Sequence, residues 1–120
     1  MFNINFYVDS HGKQPVKEYI DDLQDSADTN KDSRIKLKKI YEYMEMLATI
    51  GTRAGEPYVK HIDGDIWELR PLKDRIFFFC WHGDQFIMLH HFIKDTRKTP
   101  PHEIDQAKCN RRDFIERSGK

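Results

Sequence analysis

Residues 75–93 read RIFFFCWHGDQFIMLHHFI. The first seven are apolar on both faces of an extended chain, the pattern of a central strand. Residues 86–93 repeat it, interrupted only by His90 and His91. Between them, Gly83-Asp84 supplies the left-handed backbone that a tight hairpin turn demands. The stretch is therefore an antiparallel hairpin at the centre of a sheet.

Working outward, DIWELRPL (65–72) sets Ile66, Glu68 and Arg70 against Trp67 and Leu69. That is period two, a further strand. YVKHI (58–62) is a short strand candidate. FNINFYV (2–8) alternates Phe2, Ile4 and Phe6 with Asn3 and Asn5, giving an N-terminal strand. Pro15 suits a first helical turn, and Val16, Tyr19, Ile20 and Leu23 form an amphipathic stripe. Asp28 or Thr29 is placed to cap a second helix over about 30–50. Its stripe is Ile35, Ile40, Tyr43, Met44, Leu47 and Ile50, and Gly51 stops it. Thr99-Pro100-Pro101 reads as the cap and first turn of a last helix, with Ile104, Ala107, Arg111, Phe114 and Ile115 on one side. The order β-α-α-β-β-β-α predicts a single α+β domain over residues 1–120. It has a small, mainly antiparallel sheet with helices over one face.

Twenty cations balance twenty anions, and aromatics make up 12% of the chain. The aromatic content argues against disorder. No apolar run approaches the roughly 20 residues of a membrane helix, and the N-terminus lacks the basic and apolar regions of a signal peptide. The expected compartment is the cytoplasm, with no membrane partner. Two cysteines without a CxxC give no disulfide framework and no zinc site, and His11, His61, His82 and His102 have no partner at metal-ligand spacing. Neither a metal nor a cofactor is expected. Charge is unevenly spread: residues 1–33 and 62–93 are net acidic, 34–61 and 94–120 net basic. A local basic face is compatible with a neutral total.

Arg70 shares a strand face with Ile66 and Glu68, and Arg75 opens the next strand. In a 75–81/86–93 hairpin, residue 75 lies near 93. Arg70, Arg75 and Lys94 therefore converge at one sheet end. Arginine offers forked hydrogen bonds and lysine a point charge, a combination suited to phosphate. The bland alternative is that these cations are solvated or paired with Glu68, Asp74 and Asp95. His90 and His91 point to opposite faces and cannot serve one site together. Imidazole titrates near neutral pH, so one of them is a candidate acid or base. His91 has the parity of Ile87, Leu89 and Ile93; His90 has that of Lys94.

The run Trp67-Glu68-Leu69-Arg70, Arg75, Phe77-Phe78-Phe79, Gly83-Asp84, Phe92-Ile93-Lys94, Lys98-Thr99-Pro100 and Ile104-Asp105-Gln106-Ala107 resembles the signature region of the RelE/ParE toxin superfamily. It is most similar to the HigB-like, phage-derived branch. The resemblance implies a RelE-like fold and the toxin of a type II toxin–antitoxin pair. Such a toxin is a ribosome-dependent, metal-independent mRNA endoribonuclease that inhibits translation. It also implies a helix-turn-helix, HigA-like antitoxin and mRNA on the ribosome as partners. Arg70 and Arg75 would hold the phosphate, Lys94 and Lys98 would bind RNA or assist proton transfer, and His90 or His91 would be acid or base. Lys73, Arg97, Lys36 and Lys39 complete the expected RNA-binding set. A gyrase poison of the ParE type, and a non-catalytic antitoxin-binding module, are the alternatives on the same fold. The chain departs from the family pattern at Lys94-Asp95, where Lys-Lys is common, and at Phe77 to Phe79, which lack a tyrosine hydroxyl.

Overall fold

The computed structural model describes residues 1–119. The strands are β1 (Asn3–Phe6), β2 (Val59–Asp63), β3 (Ile66–Leu69), β4 (Asp74–Trp81) and β5 (Gln85–Ile93); the helices are α1 (Pro15–Ser26), α2 (Lys31–Ile50) and α3 (Pro101–Ser118). A single 3-10 turn, Gly51–Ala54, follows α2. The sheet order is β1-β5-β4-β3-β2. β1 runs parallel to β5, and every other pair is antiparallel. The fold is α+β, compatible with a small RelE-like domain. No helix among the described residues is long and apolar enough to cross a membrane.

The hairpin that decides the fold is at the centre of this sheet. Phe77, Phe78 and Phe79 are all buried, each worth about 3 kcal/mol of removed apolar surface. They point alternately to two faces, and both faces are covered. Ile76, Phe78, Phe86 and Met88 pack with Val16, Ile20 and Leu23 of α1 and Leu37, Ile40, Met44 and Leu47 of α2. Phe79, Ile87 and Leu89 pack with Phe114 and Ile115 of α3, and Phe77 and Phe92 with Ala107 and Ile104. The expectation of helices over one face is thus corrected: α3 lies opposite α1 and α2. Strands apolar on both sides require that second cover.

Local chemistry accounts for the element ends. Asn30, rather than Asp28 or Thr29, caps α2: its Oδ1 accepts the Ser33 N–H at 3.0 Å. Gly51, at φ 68°, closes the helix with its N–H on the Leu47 carbonyl. Ile35 and Ile50 fall outside the buried stripe of α2, which is completed by Leu37 instead. Pro100 occupies the cap position of α3, so Thr99 stands one residue outside it.

One irregularity matters for the site. β4–β5 pairing slips by a residue, with Phe77 opposite His90 but Phe78 opposite Met88. Leu89 is the extra residue, and both Leu89 and His90 face α3. A bulge leaves such a carbonyl outside the regular ladder. The buried Asn110 amide donates to the Leu89 carbonyl at 2.8 Å. The bulge separates His91 from the parity of Ile87 and Leu89, and it turns His91 toward α1.

Candidate active site

The α3 face of the sheet ends in a charged cluster. Glu68 on β3 and Arg70, the residue just past its end, are two apart and share that face. The β3–β4 register sets Glu68 opposite Phe77 and Leu69 opposite Ile76, which brings Arg70 beside Arg75. Glu68, 1% exposed, is at the centre. Its Oε1 lies 3.4 Å from Arg70 Nε and 3.9 Å from Arg75 Nε. Its Oε2 is 3.5 Å from the Thr99 hydroxyl. Arg70 Nη1 also donates to Glu56 Oε1 at 3.0 Å. Arg75 Nη1 donates to the carbonyls of Leu72 at 2.7 Å and Asp74 at 2.9 Å. Lys94 follows the last residue of β5, its backbone N–H on the Lys73 carbonyl at 2.9 Å.

Burial and charge work against each other here. Desolvation raises the Glu68 pKa, and the positive charges of Arg75, Arg70, Lys94 and Lys60 only partly offset it. Desolvation likewise lowers the pKa of Arg75, against the pull of Glu68. Four cations, Arg75, Arg70, Lys94 and Lys60, thus act on the one buried carboxylate of Glu68. The Nε atoms of Arg70 and Arg75 are buried and make no hydrogen bond. Their ion pairs with Glu68 therefore leave hydrogen-bonding capacity unspent.

The structure brings Arg70, Arg75 and Lys94 together as the hairpin geometry predicts. It does not gather the whole expected set. His90 shares the α3 face, one cross-strand row inward, with Nε2 2.7 Å from Glu103 Oε1. His91 is on the opposite face, its Nε2 2.9 Å from Asp74 Oδ1. Lys73, Arg97 and Lys98 are exposed on the turn and loop that border the cluster. Lys36 lies with α2 across the sheet, beside Leu72, Lys73 and Ile93. Lys39 is on α2 too, 3.5 Å from Glu42. Asp95 is exposed and forms no ion pair among the described residues.

Sequence reasoning missed three participants. Glu56 precedes β2 and meets Arg70 only because β2 pairs with β3. Thr99 reads locally as a helix cap, yet its hydroxyl turns to Glu68. Tyr58 accepts the Arg70 N–H on its carbonyl at 3.0 Å, and its ring meets Tyr43 edge-on at 5.0 Å. No local spacing reports such contacts: Glu56 and Tyr58 reach Arg70 through the β2–β3 pairing, and Thr99 reaches Glu68 from the loop after β5.

A family model described as Phage derived protein Gp49-like matches residues 18–112. The chain belongs to this Gp49-like family. It is a family of RelE-like, toxin-like proteins, often the toxins of toxin–antitoxin pairs. The match takes in β2 to β5 and most of the three helices, so Arg70, Arg75, His90, Lys94 and Lys98 of this Gp49-like chain all fall inside it. No curated protein matches the chain.

Proposed function

We propose that this Gp49-like chain is the HigB-like toxin of a type II toxin–antitoxin pair and cuts mRNA on the ribosome. The observation that carries the reading is the convergence of Arg70, Arg75 and Lys94 around buried Glu68 at one sheet end. In the proposed reaction the 2′-oxygen of one nucleotide attacks the adjacent phosphorus. The bond from phosphorus to the 5′-oxygen breaks, leaving a 2′,3′-cyclic phosphate and a 5′-hydroxyl. The proton lost by the 2′-hydroxyl is balanced by one gained at the leaving oxygen. Negative charge grows on the phosphoryl oxygens along the way, and preorganised cations stabilise that growth most where water is excluded. Arg75, held by two carbonyls, is the more fixed of the two arginines. Arg70 exchanges its exposed partner Glu56 for phosphate. Lys94 adds a point charge. His90, oriented by Glu103, is the imidazole on this face and the candidate proton carrier. Lys73, Arg97 and Lys98 border the cluster and contribute to RNA affinity. Lys36 and Lys39, across the sheet, contribute only to docking on the ribosome. A helix-turn-helix antitoxin of the HigA type is the proposed silencing partner.

Expression without an antitoxin tests the reading. Growth arrest that Arg75→Ala relieves, with both proteins folded, is the expected result. Arrest that proceeds with early translation intact and a rising DNA-damage response would instead point to a gyrase poison.

A further inference from the structure

The chemistry above leaves one buried charged cluster unused. Asp74 is 1% exposed. Its Oδ1 accepts the Tyr19 hydroxyl at 2.7 Å and the His91 Nε2 proton at 2.9 Å. The Tyr19 and His91 rings stack, with centroids 3.6 Å apart. Burial raises the carboxyl pKa, but the bonds from His91 and Tyr19, with the charges of His91 and Lys36, hold it below its usual value. This group faces α1, on the far side of the sheet from Glu68.

The backbone of the same residue faces the other way. The Asp74 carbonyl is one of the two that hold Arg75 Nη1; the Leu72 carbonyl is the second. The Asp74 N–H closes the turn on the Pro71 carbonyl at 3.0 Å. Leu72 sits at φ 56°, an unfavourable setting for a branched residue. Such a setting persists when the surrounding structure fixes it.

We propose that Tyr19, Asp74 and His91 form a latch on the back of the sheet, which fixes the 71–74 turn and so aims the Arg75 guanidinium. All three are positioning residues. His91 then acts through Asp74 rather than as an acid or base, and α1 becomes mechanically connected to the phosphate site. The kinetic consequence rests on the endoribonuclease reading; the effect on Arg75 geometry does not.

The test uses the full chain with three substitutions, Tyr19→Phe, Asp74→Ala and Asp74→Asn. Two readouts are taken: the NMR resonance and solvent exchange of the Arg75 side-chain N–H, and steady-state mRNA cleavage on programmed ribosomes. The latch predicts a shifted, faster-exchanging Arg75 N–H in Asp74→Ala. It predicts the same direction, smaller, in Tyr19→Phe, which keeps the ring stack. It also predicts substantial recovery in Asp74→Asn, which retains an acceptor oxygen. Cleavage should lose kcat by about tenfold to a hundredfold, the scale of a misplaced catalytic group, with KM within about twofold. An Arg75 resonance unmoved in folded Tyr19→Phe and Asp74→Ala overturns the latch, as does a KM effect with kcat intact. If Asp74→Ala does not fold, Tyr19→Phe decides. If the unsubstituted chain cuts no RNA, the function reading fails and the Arg75 resonance alone decides the latch.

Discussion

Replacing Glu68 by Gln keeps the side-chain shape and removes one buried negative charge. With ion pairs at 3.4 and 3.9 Å, an effective dielectric of about 20 gives gross attractions of about 5 and 4 kcal/mol. Stripping water from a buried carboxylate costs several kcal/mol, roughly the same size. The direction of the Glu68 pKa decides between them. It is raised, first by desolvation, so the ionised form is on balance less favoured in the fold than in the open chain. Glu68→Gln should therefore leave stability within about 1 kcal/mol of the parent, or raise it. A raised carboxyl pKa contributes stability that is full below the unfolded value, about 4.3, and lost as pH rises through the folded value. The parent should therefore gain on Glu68→Gln as the solution is acidified. Activity should move the opposite way. Without their shared anchor, Arg70 and Arg75 repel and spread, and kcat should fall by about tenfold or more, within the range of a lost electrostatic contact. Urea denaturation across pH and cleavage of ribosome-bound mRNA measure the two effects. A loss of about 3 kcal/mol with cleavage unchanged would refute the reasoning on both counts.

Other outcomes follow from the same contacts. Asn110→Ala strands the buried Leu89 carbonyl and should cost about 1–3 kcal/mol, read as a lower urea midpoint at constant slope. Phe79→Ala, on the α3 face, should cost about 3–5 kcal/mol; a small change would mean that α3 is not a true cover of the sheet. The Asp74 pKa is depressed, so its contribution is present above the unfolded carboxyl value, about 3.9, and is lost as pH falls through the folded value. Asp74→Asn should flatten the acid limb of the stability curve, measurable by circular dichroism. Arg97→Ala and Lys98→Ala should raise KM and weaken its salt dependence by about one counterion each, with kcat little changed.

Much of the frame was legible in the sequence. The 75–93 hairpin announced itself by two apolar runs around Gly83-Asp84, and the stripes of α1 and α2 by their 3.6-residue period. What escaped were choices made between distant segments. Phe77 and Phe79 signal that a second face needs cover, yet nothing local says that α3 provides it. The extra residue at Leu89 keeps the composition of a regular strand, so the parity of His91 was misplaced by it. The convergence of Arg70, Arg75 and Lys94 followed from hairpin arithmetic alone. Glu68 is among the partners the sequence offers them, but an alternating strand does not say that it is buried and shared by both arginines. Asp74 likewise reads as a turn residue, and only the path of α1 over β5 gives it Tyr19.

The central claim is that the Arg70–Arg75–Lys94 cluster receives a phosphate of RNA during cleavage. Mapping transcript ends after brief induction, in parallel for the unsubstituted chain and a folded Arg75→Ala variant, tests it most directly. The account predicts new ends within translated codons, carrying 2′,3′-cyclic phosphates, that disappear in Arg75→Ala. Ends that persist undiminished in Arg75→Ala, or no new ends while growth still stops, would contradict it.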